Sequence, residues 1–188
     1  MPSPFYVIDF ETTGFNPQWN RVIEVAVVKI IDGEIKDHFQ SLLNPHKRVP
    51  HDITDLTGIS QEMVDGAPSS SSVMTKLRRY IGKSPLIAHN ASFDRRFFRK
   101  EMELAGLNPV NDFLCTIRLA RKAYPGAPRY SLESLVQYTG ITPSGDYHRA
   151  LADATAASDL FIKMQHIIQN DYSKPAASFE DLEAFLSS

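Results

Sequence analysis

Hydrophobic and polar positions over the first 43 residues follow the pattern of β-strands. Three runs rich in β-branched and aromatic residues, separated by turn residues, cover residues 5–11, 21–30 and 34–43. The segment "IDGEI" at 31–35 predicts a tight hairpin turn between the second and third runs. We therefore expect the chain to begin with a three-stranded antiparallel meander.

The pattern changes in the second half of the chain, where apolar residues recur at helical spacing. It predicts helices at 72–82, 91–105, 117–124, 131–139 and 149–169, with short strands at 85–89 and 112–116. The segment 44–60, which contains Pro45 and Pro50, is predicted to be a loop. Three strands followed by alternating helices and strands are typical of an α/β domain with a mixed sheet flanked by helices.

Composition limits the kind of protein this can be. With 188 residues, 43% of them hydrophobic, the chain can form one core, and we expect one domain over residues 1–170 with a tail at 171–188. The single cysteine, Cys115, excludes a disulfide framework and a cysteine-based zinc site. A signal peptide and a membrane-spanning segment are not indicated, so we expect a cytoplasmic protein that does not bind membranes.

The first predicted strand ends in two acids, Asp9 and Glu11. The same Asp-x-Glu spacing occurs at residues 32–34 and 181–183, so the motif alone is not informative. On a strand, residues i and i+2 point to the same face, about 6 to 7 Å apart, which is close enough to share metal ions. The other two pairs fall in a predicted turn and a predicted helix, where this geometry is lost. The first pair is therefore the candidate metal site.

Three further residues have settings that suggest chemistry. Asp94 lies in the first turn of a predicted helix, with Asn90 or Ser92 as cap, and taken alone it is better interpreted as a favourable charge at a helix N-terminus. Asp153 lies on a helix beside small residues that permit close approach to a sheet. His148 can reach Asp153 only if it lies in or before the first helical turn, in the loop "SGDYH", and the alternative is an exposed loop imidazole.

Read in order, the segments "DFETTG", "HNASFD" and "HRALAD" resemble the three motifs of the DEDDh exonuclease family, and the resemblance covers residues 5–165. It implies a ribonuclease-H-like five-stranded mixed sheet and removal of nucleotides one at a time from a 3' end. It also implies that Asp9, Glu11, Asp94 and Asp153 are metal ligands and that His148 is the general base.

Four carboxylates form an all-oxygen ligand set, which favours Mg²⁺ or Mn²⁺ over zinc. Two such ions would balance four negative charges and would support in-line hydrolysis of a phosphodiester to a nucleoside 5'-monophosphate. Histidine ordinarily changes protonation near neutral pH, which suits a base that takes a proton from water.

The resemblance also suggests residues that contact a nucleic-acid 3' end. Thr12 is expected near the 3' hydroxyl, and Phe15, Leu56 and Phe93 against the bases, with Asn90 as a further candidate contact. Stacking on aromatic rings tolerates any base, so sequence preference should be weak. For Leu56, packing in the core is an equally good prediction.

The net charge of −2 gives no global field for a polyanion, so nucleic-acid contacts must come from local basic runs, at 95–100 and 118–122. Such runs usually form solvated helix faces, but the first directly follows Asp94, so part of it is a candidate phosphate contact. Single-stranded or frayed 3' ends are the expected partner.

The tail "KPAASFEDLEAFLSS" predicts a short helix capped by Ser178, with Phe179, Leu182, Phe185 and Leu186 on one side. We expect this side to pack on the domain. The alternative is a docking peptide for a polymerase or sliding clamp, by analogy with proofreading subunits.

The leading hypothesis is thus a metal-dependent 3'–5' exonuclease acting on single-stranded or mismatched DNA. An RNA-trimming exoribonuclease is an alternative, because the sequence does not separate DNA from RNA. A nucleic-acid-binding subunit without activity is a third hypothesis, and it predicts that at least one of the five motif residues is missing.

Overall fold

A five-stranded sheet in the order β3-β2-β1-β4-β5 forms the centre of the protein. The computed structural model describes residues 4–142 and 148–188. Strands β1 to β3 are antiparallel neighbours, whereas β4 and β5 run parallel to β1, so the predicted mixed sheet is confirmed. The strands are β1 (Phe5–Thr12), β2 (Val22–Ile31), β3 (Glu34–Leu42), β4 (Leu86–Ala88) and β5 (Phe113–Cys115).

The predicted hairpin between β2 and β3 is also confirmed. Asp32 and Gly33 have φ angles of 53° and 74°, the left-handed conformation that a tight two-residue hairpin turn requires at both positions. β3 is an exposed edge strand, and its charged residues, among them Glu34 and Lys36, disfavour pairing with another chain.

Helices pack on both faces of the sheet. They are α1 (His51–Thr57), α2 (Gln61–Asp65), α3 (Ser70–Ile81), α4 (Ala91–Leu104), α5 (Thr116–Ala123), α6 (Leu132–Thr139), α7 (Ala150–Asn170) and α8 (Phe179–Ser187). Among the helices of the described ranges, none is long and apolar enough to cross a membrane.

The prediction of a loop over 44–60 is wrong, because α1 lies within it. Pro50 occupies the N-cap position of α1, in an extended conformation before the first helical residue. A proline there removes no hydrogen bond from the helix, so it does not prevent helix formation. Gly58, with φ of 71°, ends the helix, and α2 begins directly afterwards with Ser60 as its cap.

The alternation of side chains along β1 creates two cores. Ile8 and Phe10 point to one face and pack with α3 and α4, where Phe97 and Phe98 are fully buried. Val7 points to the other face and packs with α5, α7 and α8. Because Asp9 and Glu11 share the alternation of Val7, they face the α7 side of the sheet.

Helix α8 closes the second core from the C-terminal end. Ser178 and Asp181 form a capping box at its start, and Leu182 and Phe185 are buried against the domain. The Lys122 ammonium donates to the Phe185 carbonyl at 2.7 Å and lies over the Phe185 ring. Lys122, a member of the 118–122 basic run, therefore holds the tail.

An ion pair fixes α4 to the edge of the meander. Glu101 is buried and accepts two hydrogen bonds from Arg21, at 2.7 and 2.9 Å, and one from the Val22 amide. Ser70, the first residue of α3, also donates to Glu101. The helix that carries Asp94 is thereby tied to the start of β2.

Candidate active site

Asp9 and Glu11 lie side by side on β1, directly before the strand becomes irregular. Asp9 is opposite Ala26 of β2, and Glu11 is opposite Glu24. The register shifts after Glu11, so the regular pairing ends where the two acids stand. Both side chains are partly buried between the sheet and the start of α7.

Asp153 reaches the same place from the first turn of α7. Ala150 and Ala154 pack against Ala26 and Val28 of β2, and these small side chains let the helix approach the sheet closely. Carboxylate oxygens of Asp9, Glu11 and Asp153 lie within 4.8 Å of one another. Three acids that are distant in sequence therefore form one cluster.

Asp94 lies at the buried edge of this cluster. It occupies the first turn of α4, which follows β4, and its exposure is only 2%. It does not belong to the 4.8 Å triangle, but its charge raises the pKa of Asp9 and of Glu11. The expected side-chain cap of this helix is wrong: Asn90 has the N-cap position but adopts a left-handed conformation, and its side chain makes no capping hydrogen bond.

All four carboxyl groups hold protons more tightly than ordinary acids. Burial, followed by the charges of the neighbouring acids, raises the pKa of Asp9 well above its ordinary value and that of Glu11 to about 8. Burial likewise raises the pKa of Asp94 to about 8, and it raises that of Asp153. Within the described ranges, none of the four has an ion-pair partner.

A second observation, which is geometric, also indicates that the cluster could hold a cation. In the part of the chain that the structure describes, Oδ1 of Asp153 is buried and has no hydrogen-bond partner. A buried carboxylate oxygen without a donor is costly unless something positive contacts it. Hard oxygen ligands with raised pKa values are the environment that a divalent cation stabilises.

His148 lies directly before α7 and is exposed to solvent. Its backbone N–H donates to Oδ2 of Asp153 at 3.1 Å, and its φ is 65°. The residue therefore precedes the helix and contacts Asp153, which is the arrangement that the sequence required for the two to converge. The preceding residues "SGDY" of the predicted loop lie outside the described residues.

A second motif histidine, His89, has a different environment. Its Nδ1 lies 2.8 Å from Oγ1 of Thr116, and its Nε2 lies 3.0 Å from the Tyr130 carbonyl. Burial lowers the pKa of His89 to about 4. His89 is thus neutral at pH 7 and ties β4 to α5 and to residue 130, whereas His148 is free to meet solvent.

The sequence interpretation missed Glu24. Its side chain, on β2 opposite Glu11, is 1% exposed and accepts hydrogen bonds from Arg149, Ala150 and Gln40. The signal was present in the sequence, because Glu24 interrupts the apolar run "VIEVAVVKII". A charge within a buried strand indicates a specific partner.

The candidate substrate contacts differ in how far they are exposed. The Thr12 hydroxyl donates to the Gly14 carbonyl at 2.7 Å, and Gly14 has a φ of 149°, a conformation that favours glycine. Phe15 is 81% exposed and meets the edge of the Phe93 ring, with centroids 6.5 Å apart. Leu56 is 50% exposed on α1, so the alternative that it packs in the core is not supported.

Comparisons with known proteins identify the family of the chain. A family model described as Exonuclease matches residues 6–161. The DNA polymerase III subunit epsilon of Aquifex aeolicus strain VF5 is 36% identical over 161 residues, which cover 85% of this chain and 79% of that subunit. The PolC-type DNA polymerase III of Clostridium perfringens strain 13 is 38% identical over 156 residues, or 83% of this chain. The chain spans only 11% of the length of that polymerase.

Solved structures show the same fold. Exonuclease X, in complex with 5' overhanging duplex DNA, is 31% identical with a TM-score of 0.72, over 86% of this chain and 91% of that one. The nuclease domain of 3'hExo, a DEDDh family member bound to rAMP, has a TM-score of 0.76 over 88% of this chain and 92% of that one. Its identity of 24% supports the fold alone.

Proposed function

The chain belongs to the exonuclease family as a DEDDh-type, epsilon-like member, and from this premise we propose that it removes nucleoside 5'-monophosphates from the 3' end of DNA. Single-stranded ends and mismatched, frayed ends are the proposed substrates. The observation that supports the proposal best is the cluster of one buried acid, Asp94, and three partly buried acids, none of which has an ion-pair partner within the described ranges.

We propose that Asp9, Glu11, Asp94 and Asp153 hold two divalent cations, Mg²⁺ or Mn²⁺. The donors are all carboxylate oxygens, which suit these ions, and four negative charges match two dications. When bound, such ions supply charge stabilisation for in-line displacement at phosphorus. The raised pKa values and the unsatisfied Oδ1 of Asp153 support this assignment, because a cation would relieve both.

His148 is the proposed general base. It lies outside the helix, and the residue is exposed to solvent. The Asp153 carboxylate accepts the His148 backbone N–H, so His148 lies beside a proposed metal ligand, where it would take the proton of the attacking water.

The terminal nucleotides would contact the exposed side chains of Phe15 and Leu56 and the partly buried ring of Phe93. Two aromatic rings in contact beside an acidic cluster offer stacking without hydrogen-bond readout, which implies weak base preference. Trp19, which is 64% exposed in the same loop as Phe15, is a further aromatic surface. Part of the 95–100 run, including exposed Arg95 and Arg99, is available for phosphates.

The other hypotheses receive less support. All five motif residues of a DEDDh enzyme are present, which argues against a binding subunit without activity. Docking of a polymerase or clamp through the tail would require release of Leu182 and Phe185, which are buried on the domain. We therefore retain packing as the role of α8.

The direct test is incubation of the protein with 5'-labelled single-stranded DNA, mismatched duplex and single-stranded RNA, each with Mg²⁺, Mn²⁺ or a chelator. The proposal predicts a ladder of products shortened one nucleotide at a time, with release of 5'-monophosphates, only when a metal is present. Faster shortening of RNA would change the substrate class. No shortening of any substrate with metal, or equal shortening with chelator, would contradict the proposal.

A further inference from the structure

The buried carboxylate of Glu24 is fully occupied by hydrogen bonds. Oε1 accepts from Arg149 Nη2 at 2.8 Å and from Gln40 Nε2 at 3.0 Å. Oε2 accepts from Arg149 Nε at 3.1 Å and from the Ala150 amide at 3.0 Å. Four donors use the acceptor capacity of a carboxylate, so Glu24 is not available as a ligand for a cation although it is opposite Glu11.

One of these hydrogen bonds caps the N-terminus of α7, with an acceptor that lies on β2. Arg149 has the N-cap position of α7 and makes no side-chain capping bond. The Ala150 amide, one of the donors that a helix start leaves unpaired, is satisfied instead by Glu24 of β2. The negative charge also lies at the positive end of the 21-residue helix, where it is favourable.

The segment 148–150 is therefore held by acids on two sides. Asp153 accepts the N–H of His148, and Glu24 accepts the N–H of Ala150 and the side chain of Arg149. His148 has a φ of 65°, a conformation that residues other than glycine rarely adopt without support from their surroundings. The two sets of bonds supply that support.

We propose that Glu24 and Arg149 are positioning residues: their ion pair fixes the backbone turn that presents His148 to the reacting phosphodiester. The proposal rests on the proposed function for the role of His148. The planar guanidinium makes two parallel bonds with the carboxylate, and a lysine would make only one, so the pair sets an orientation as well as a charge.

The test compares Arg149→Ala, Arg149→Lys and Glu24→Gln with the wild-type protein. Loss of a partner that orients a catalytic group typically costs about 10- to 100-fold in activity. We expect kcat to fall by that amount in Arg149→Ala, with KM and the affinity for Mn²⁺ unchanged. Arg149→Lys should recover only part of kcat. Leu182→Ala, a core variant in α8, controls for loss of stability and should leave kcat unchanged at a temperature where it is folded.

A second readout does not depend on activity. In metal-free protein, amide hydrogen exchange at residues 148 and 150 should accelerate at least about tenfold in both Arg149→Ala and Glu24→Gln, while amides of β1 keep their protection. If Arg149→Ala fails to fold, Arg149→Lys and Glu24→Gln decide the question by the same two measurements.

Specific outcomes would overturn the proposal. Unchanged kcat in Arg149→Ala would do so, as would exchange that accelerates equally at 148, at 150 and in β1. If wild-type protein degrades no substrate, the proposed function fails, and the exchange experiment still shows whether the pair holds the turn.

Discussion

Glu11 and Glu24 are opposite each other on neighbouring strands, yet their chemistry differs. Burial and the charges of Asp153 and Glu24 raise the pKa of Glu11 to about 8. Burial acts on Glu24 in the same direction, but hydrogen bonds from Arg149, Ala150 and Gln40 outweigh it and lower the pKa of Glu24. Two glutamates that face each other in one sheet therefore differ. The protonated form of Glu11 is favoured, whereas hydrogen bonds stabilise the ionised form of Glu24.

The difference shows which buried glutamates are paired with an arginine side chain. Glu24, which is buried near the cluster, forms an ion pair with Arg149, and Glu101 forms one with Arg21. Both pairs have a structural role. Within the described residues, the acids of the cluster form no such pair. Acids crowded together without a cationic partner destabilise a protein, and such a cluster could hold a metal ion.

The largest expected effect separates these two glutamates. Glu11→Gln should lower exonuclease turnover by about 10³-fold, because charge stabilisation at phosphorus is worth several kcal/mol and each 1.36 kcal/mol is tenfold. In chelator, the same variant should be more stable to urea than wild type, since it removes an acid whose ionised form is destabilised by burial and by neighbouring charges.

Glu24→Gln should shift stability the other way. It leaves the Arg149 guanidinium without its carboxylate partner and weakens a buried hydrogen bond, which costs about 1 to 3 kcal/mol. Urea unfolding of both variants in chelator measures the two signs. Destabilisation of similar size in both variants would contradict the difference between Glu11 and Glu24.

His148→Ala should lower turnover by about 10²-fold or more, the usual contribution of a general base. The contact between His148 and Asp153 uses the backbone N–H, which alanine retains, so Mn²⁺ affinity should stay within a few-fold of wild type. Steady-state kinetics and Mn²⁺ titration measure the two effects. Near wild-type turnover would remove His148 from the mechanism.

The pH dependence of the free energy of unfolding should reveal the acids whose pKa values are raised. Between the unfolded pKa, about 4.3, and the folded pKa of Glu11, about 8, the native state holds a proton that the unfolded state has released. The stability from this group is therefore full below pH 4.3 and is lost as the pH rises through 8.

In chelator, the urea midpoint should fall between pH 6 and pH 9, and the fall should be shallower in Glu11→Gln. Saturating Mg²⁺ should raise the midpoint more at pH 9 than at pH 6, because the cation then competes with fewer protons. Glu24, with its lowered pKa, contributes in the opposite sense: its stabilisation is present above about 4.3 and lost as the pH falls. A midpoint in chelator that does not change between pH 6 and pH 9 would contradict the raised pKa values.

The smallest effect concerns the surface beside the acids. Phe15→Ala should raise KM about tenfold, because stacking of one base is worth about 1 to 3 kcal/mol and 1.4 kcal/mol is tenfold. Stability should not change, since Phe15 is 81% exposed. Kinetics on single-stranded DNA and urea unfolding check both statements. An unchanged KM would assign substrate contact elsewhere, with Trp19 as the next candidate.

Much of this arrangement follows from local patterns in the sequence. Alternation along β1 predicts that Asp9 and Glu11 share a face, and helical spacing with small residues predicts the approach of Asp153 to the sheet. The position of Leu56 did not follow, because α1 begins after a proline that suggested a loop. The role of Glu24 did not follow either, since its partner Arg149 is 125 residues away and only the folded sheet joins them.

The most direct test of a cation-binding acidic cluster is calorimetric titration of metal-free protein with Mn²⁺ at pH 7.5 in two buffers of different ionisation enthalpy. We expect binding to wild type accompanied by proton release, because acids with raised pKa values must ionise to bind the metal. We also expect binding at least about tenfold weaker, with less proton release, in Glu11→Gln, and near wild-type behaviour in Glu24→Gln. No binding to wild type, or equal binding to all three proteins, would contradict a cation site at the acidic cluster.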